Sequence, residues 1–354
     1  MDDPSPTLPA RPNPRTQPPT DPSIRPNQPP PQAGRHQRRG PAAPRPDDGG
    51  AADSAVALSR EQAQQAQPVT RPPGPQRARH GAPPGRAGRN LPAAIAVGAG
   101  LGALILVCLY IVRVAFVGLA VVALVIGVWE LTVAFAAKAI RIPVVPVVLG
   151  TVAMLVGAYA GRPRTLVVAY ALTTVGVLLW RLGEGQRDYL RDASAGVFVA
   201  TYVPFLAGFA VLMLTAPADG PERVTTFIVV TVCSDIGGYA IGVLLGRHAM
   251  APTISPKKSW EGFVGSVLAC VGGAAGTMVW LLDSPWWYGV PLGLAVACTA
   301  TLGDLGESAV KRDLGIKDMG SLLPGHGGIM DRLDSLLPTA PVVWVLLSLL
   351  VPIR

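Results

Sequence analysis

Beyond Asn90, apolar runs of about 18 residues or more follow one another to the end of the chain, with charges held to the short stretches between them. A run of that length crosses the hydrocarbon core of a bilayer as a helix. A soluble protein with buried helices would show polar stripes at helical spacing, and most of these runs have none. The chain therefore reads as an all-α polytopic integral membrane protein. Nine spans are expected, at 91–112, 114–137, 143–160, 165–181, 194–214, 224–246, 262–282, 286–303 and 336–353. Little more than Arg113 separates the first two, which should form a tight hairpin.

Residues 1–90 have a different character. They are rich in Pro, Arg, Gln, Ala and Gly and nearly free of aromatic and β-branched residues. Such a segment cannot bury enough apolar surface to offset its ordering entropy, so it is expected to be a disordered cytoplasmic tail. No apolar core follows the first methionine closely enough for a signal peptide. The expected organisation is the tail at 1–90, N-terminal and middle membrane helices at 91–215, and a catalytic membrane domain at 216–354. The formal net charge of +8 at first points to nucleic acid, but 13 arginines and seven acids of the balance lie in the tail. No nucleic-acid partner is expected; the bilayer is. The four cysteines, Cys108, Cys233, Cys270 and Cys298, all fall in apolar runs without a C-x-x-C pair, as small buried hydrophobes do.

With nine spans and a cytoplasmic N-terminus, the inside loops carry twelve basic residues and the outside segments five. The excess fits the positive-inside rule and turns both lysine-bearing stretches to the cytoplasmic side of the cell membrane, where nucleotides are. Those stretches stand out. The chain has only five lysines against 25 arginines, and four of the five lie in "ISPKKSWEG" at 254–262 or in "SAVKRDLGIKDMGSLLPGHGGIMDRLD" at 308–334.

Ionisable residues inside spans are costly and are functional candidates by default. Asp235, flanked by Ser234, Gly237 and Gly238, has room beside it for an ion or a headgroup. Glu130, deep in the second span, could as well be a polar contact between helices. If the eighth span continues as a helix, Asp304, Glu307, Ser308 and Lys311 share one face. A row of acid, acid, hydroxyl and base suits a metal-bound polyphosphate, although a solvated helix end would also show it. In "LLPGHGGIMDRLDS", the glycines around His326 can aim backbone N–H groups at an anion. Asp331 and Asp334, one turn apart, can hold a hard divalent cation; one of them could instead cap the last helix. His326 could be a base, a phosphate donor or a shaper of the loop. Lys257 and Lys258 are compact cations suited to phosphate oxygens, and one of the two is expected to be an ordinary positive-inside flank.

Taken together these residues resemble one family, the bacterial-type phosphatidate cytidylyltransferases, or CDP-diacylglycerol synthases. The resemblance runs through Gly303-Asp304-Leu305, Glu307-Ser308, Lys311-Arg312, Lys317-Asp318, Pro324-Gly325-His326-Gly327-Gly328 and Asp331-Arg332-Leu333-Asp334. Ser255-Pro256, Lys258-Ser259 and Gly262 add a second element, and Asp235 and Trp129-Glu130 look like family positions. The resemblance covers roughly 91–354; the long tail departs from it. It implies that CTP and phosphatidic acid give CDP-diacylglycerol and pyrophosphate, in a polytopic homodimer. It also implies a two-cation centre on Asp304, Asp331 and Asp334, with Mg²⁺ joined by a second, monovalent cation such as K⁺. Lys311, Arg312, Lys258 and Asp235 are then the catalytic candidates. Ser308, Lys257, Lys258, Lys311, Arg312, Gly325, His326, Gly327 and Gly328 are the substrate-binding candidates. A CDP-alcohol phosphotransferase and an ion or phosphate transporter are the alternatives from other classes. The first lacks its D-x-x-D-G-x-x-A-R motif here, and the second its paired repeats.

Overall fold

The computed structural model describes residues 91–352 apart from 162, 186, 317 and 321–327, with side chains from Gly100 onward. The expectation of a disordered tail, and the candidates Gly325, His326 and Gly327, lie outside the described residues.

The described chain is helical, with one small hairpin. The helices are α1 (Leu91–Ile111), α2 (Arg113–Ala136), α3 (Val144–Tyr159), α4 (Pro163–Gly183) and α5 (Tyr189–Ala200). A π-turn at Thr201–Phe205 then absorbs Pro204 and leads into α6 (Leu206–Leu214). After α7 (Gly220–Leu245) come strands β1 (Ala249–Ala251) and β2 (Ser255–Ser259), paired antiparallel. The chain ends in α8 (Trp260–Trp280), α9 (Gly289–Leu314), the single turn α10 (Met330–Leu333) and α11 (Leu336–Leu350).

Each of the nine expected spans falls on a helical segment, and among the described residues seven helices are long and apolar enough to cross a bilayer. Helix α3 is the short one. It has 16 residues, or about 24 Å, against a hydrocarbon core of about 30 Å.

Side-chain size decides which helices meet. Helices α7 and α8 press backbone to backbone: a Cβ at Gly237 would stand 2.5 Å from the Gly265 carbonyl oxygen, and one at Gly265 would stand 2.5 Å from that of Gly237. Without a hydrophobic drive between helices in lipid, such small-residue seams supply the packing that holds a bundle together. Helix α8 packs in turn on α9, and α9 on α11. Cys270, Ala274 and Met278 of α8, Leu292 and Val296 of α9, and Val343 and Leu347 of α11 are wholly buried there. Ile236, Tyr239, Val243 and Leu244 of α7 stay exposed, with the chemistry of a lipid-facing surface.

Two arginines near helix ends, Arg223 and Arg181, are buried. Arg223 pairs with Asp219 at 2.9 Å and donates to the carbonyls of Leu347 and Val351, tying the end of α11 to the start of α7. Arg181 meets Asp192 at 2.9 Å. Both arginines act as structural locks as well as charges.

Candidate active site

Helix α9 does continue through the acidic stretch, carrying Asp304, Glu307, Ser308, Lys311 and Arg312 before it stops at Gly315. Gly315 has φ +70°, a left-handed conformation that suits glycine, and its N–H closes on the Arg312 carbonyl. The hairpin sets the second group. Ser259, at the end of β2, accepts a hydrogen bond from the Gly262 N–H at 3.1 Å and so caps α8. This fixes the preceding Lys258, whose ammonium pairs with Asp304. Arg312 Nε donates to the Ile254 carbonyl at 3.3 Å, joining the end of α9 to the hairpin.

Three carboxylates meet at one hydroxyl. Ser335 Oγ donates to Asp304 at 2.6 Å and also lies 3.3 Å from Asp334 and 3.4 Å from Asp235. A hydroxyl has one proton to give; Asp334 Oδ1 also accepts the Ser335 N–H at 2.8 Å, which leaves the Asp235 oxygen to share the hydroxyl. Asp304 comes from α9, Asp235 from α7, and Asp334 and Ser335 from the joint between α10 and α11.

Beside this group stands a second. Lys311 Nζ lies 2.8 Å from Glu307 and 2.6 Å from Asp331. Asp331 also accepts the N–H groups of Gly328 at 2.8 Å and Met319 at 3.2 Å. It therefore ties down backbone on both sides of the 321–327 segment, and neither N–H belongs to the first turn of a following helix. Glu307 links the two groups, since its side chain also meets that of Asp334. One Glu307 oxygen, Oε1, is buried with no hydrogen-bond partner among the described residues.

The remaining candidates stand around these. A cavity of about 380 Å³ opens between α7, the hairpin, α8 and α9, with Asp235, Asp304, Lys257 and Lys258 in its wall. Lys257 is exposed, and Ser308 is half-buried. The sequence reading missed Ser335 and Tyr202. Ser335 directly follows "DRLD", and its neighbourhood is its only sequence signal. Tyr202 sits on the π-turn; its hydroxyl is buried without a hydrogen-bond partner among the described residues, and Glu307, Asp334 and Asp304 act on it electrostatically. Single-turn π-bulges are frequent at functional sites, and a proline in "TYVPF" was the available hint.

Carboxylates gathered this way, with oxygens facing one another and one buried oxygen unpartnered, suit a hard divalent cation that takes oxygen ligands. Among the described residues no three His, Cys, Asp or Glu side chains already stand in coordinating positions. The chemistry of the donor set is what fits, together with lysines able to balance phosphate charge.

Comparison with known proteins agrees. Residues 92–350 match the cytidylyltransferase family. The chain is 42% identical over 281 residues to a phosphatidate cytidylyltransferase of Mycobacterium leprae, covering 75% of this chain and 90% of that protein. It is 41% identical over 286 residues to the one of Mycobacterium bovis, covering 75% and 90%. A phosphatidate cytidylyltransferase of Synechocystis is 44% identical over 146 residues, 38% of this chain and 48% of that protein. These matches set aside the transporter and the CDP-alcohol phosphotransferase. The chain is a nucleotidyltransferase belonging to the cytidylyltransferase family.

Proposed function

We propose that the protein is a phosphatidate cytidylyltransferase, converting CTP and phosphatidic acid to CDP-diacylglycerol and pyrophosphate in phospholipid biosynthesis. The observation that carries this is the meeting of Asp304, Asp334 and Asp235 at Ser335 beside the Lys311 and Lys258 ion pairs. A phosphate oxygen of the lipid attacks the α-phosphorus of CTP. The new P–O bond forms as the bond from the α-phosphorus to the bridging oxygen breaks, and that electron pair leaves with pyrophosphate. The lipid phosphate is already anionic at neutral pH, so no general base is required, and His326 is not assigned that role.

In this reading the protein's work is positioning and charge balance. Lys258, Lys257, Lys311 and Arg312 meet the phosphate oxygens, with Ser308 and the backbone of the 325–328 segment as further donors. Asp304, Asp331 and Asp334 would hold Mg²⁺, with Asp235 close enough to share in it and K⁺ as a second cation. Such a centre offsets the charge that builds on the attacking and leaving oxygens. Residues 216–354 carry nearly all of this, and 91–215 buttress it. We further read the enzyme as a homodimer in the cell membrane, with its N-terminus and its site on the cytoplasmic side.

The test uses purified protein in liposomes containing phosphatidic acid. Labelled CTP should yield one CDP-diacylglycerol per pyrophosphate, only with a divalent cation present. Release of CMP, or transfer that needs no phosphatidic acid, would refute the assignment.

A further inference from the structure

We infer that Glu130 is a positioning residue of this site, a single buried carboxylate on which both ends of the glycine-rich segment rest. The inference builds on the reaction proposed above. Glu130 is the only acid in α2 and is 5% exposed. It accepts the Met330 N–H at 2.9 Å, a bond spanning 200 positions of sequence. A Cβ at Gly320 would run into Glu130 Oε1, and one at Gly328 would stand 2.7 Å from Oε2 and 2.8 Å from the Gly320 nitrogen. Gly320 and Gly328 therefore lie against each other and the carboxylate, and with Glu130 in place a side chain at either would displace it.

A polar tie between two helices would meet a side chain on the partner helix. Glu130 meets backbone instead, at 320, 328 and 330. Asp331 grips the same region from the other side, through the Gly328 and Met319 N–H groups. The neighbouring Met330 is thus held by Glu130 while Asp331 faces Lys311. A buried carboxylate in an otherwise apolar span is costly, and its contacts here fix the residues that lead into the proposed phosphate and cation groups. Without it, the Met330 N–H loses its partner and the two glycines lose the surface they rest on. Asp331, one residue further, is then free to shift.

The experiment compares Glu130→Ala, Glu130→Gln, Gly320→Ala and the double variant Glu130→Ala/Gly320→Ala, each purified in detergent and assayed with CTP and phosphatidic acid. Glu130→Ala should lower kcat/KM for CTP about tenfold or more, the order expected when a buried donor loses a charged acceptor. The KM for phosphatidic acid should stay within about twofold, since Lys258 and the cavity are untouched. Glu130→Gln, which keeps an acceptor oxygen for Met330, should recover most of the loss. Gly320→Ala leaves α2 unaltered and should show the same CTP-selective defect, keeping the test decisive even where Glu130→Ala does not insert. In the double variant the two losses should not multiply, because the second Cβ no longer meets a carboxylate. Wild-type kcat/KM in Glu130→Ala, fully multiplicative losses, or equal damage to both substrates' KM would each overturn the inference. A wild-type enzyme that makes no CDP-diacylglycerol would instead refute the proposed reaction.

Discussion

Lys311 is the most heavily engaged cation of the site, and its removal gives a quantitative test. Its side chain is 17% exposed and lies between Glu307, 1% exposed, and Asp331, 13% exposed. Breaking a buried ion pair by deleting one partner costs about 3–5 kcal/mol, because a desolvated charge is left alone. The partial exposure of Lys311 argues for the low end, so Lys311→Met should destabilise the protein by about 3 kcal/mol. Glu307→Gln alone should cost only about 1 kcal/mol, since Lys311 keeps Asp331 at 2.6 Å. In the double variant the orphaned carboxylate of Glu307 is gone. Its cost should therefore fall about 2 kcal/mol below the sum of the singles, within the range of couplings between contacting residues. Reversible unfolding in mixed detergent micelles measures all four proteins. A double variant that equals the sum within about 0.5 kcal/mol would show that the two side chains do not sense each other.

Asp304→Asn, Asp331→Asn and Asp334→Asn should each nearly abolish turnover in protein that still inserts and folds, and an Asn variant with near-wild-type rate across Mg²⁺ concentrations removes that residue from the cation site. Deleting residues 2–88 should leave specific activity in liposomes largely intact, since every site residue lies beyond them; a large loss in well-folded protein would show that the tail takes part. Gly265→Val should separate α7 from α8, because its Cβ position is already 2.5 Å from the Gly237 carbonyl; unchanged unfolding and activity would contradict the seam.

The sequence made the acid face of α9 legible because helical periodicity alone puts Asp304, Glu307 and Lys311 together. It also made the hairpin lysines legible, through an unusual choice of residue in an arginine-rich chain. It did not show that Asp235 and Asp334 meet at Ser335. That meeting depends on how closely α7, α9 and α11 approach one another, as where Gly303 of α9 leaves room for the Asp334 carbonyl and Pro338. Glu130 was visible as a buried acid but not as a partner of Met330, because 200 residues of chain separate them. Tyr202 was hidden by its surroundings, since an aromatic in an apolar run reads as core. The expected span at 143–160 corresponds to the 16-residue helix α3, because hydropathy marks an apolar segment but not where its helix begins and ends.

The central proposal is that the carboxylates at Ser335 serve as a cation site for nucleotide. A structure of the protein with CTP and Mn²⁺, with the metal located by its anomalous signal, tests this without relying on turnover. The expected result is a cation about 2.2 Å from a carboxylate oxygen of Asp304 and from one of Asp331 or Asp334, with the triphosphate against Lys258 and Lys311. A metal located away from Asp304, or a nucleotide bound outside this group of residues, would contradict it.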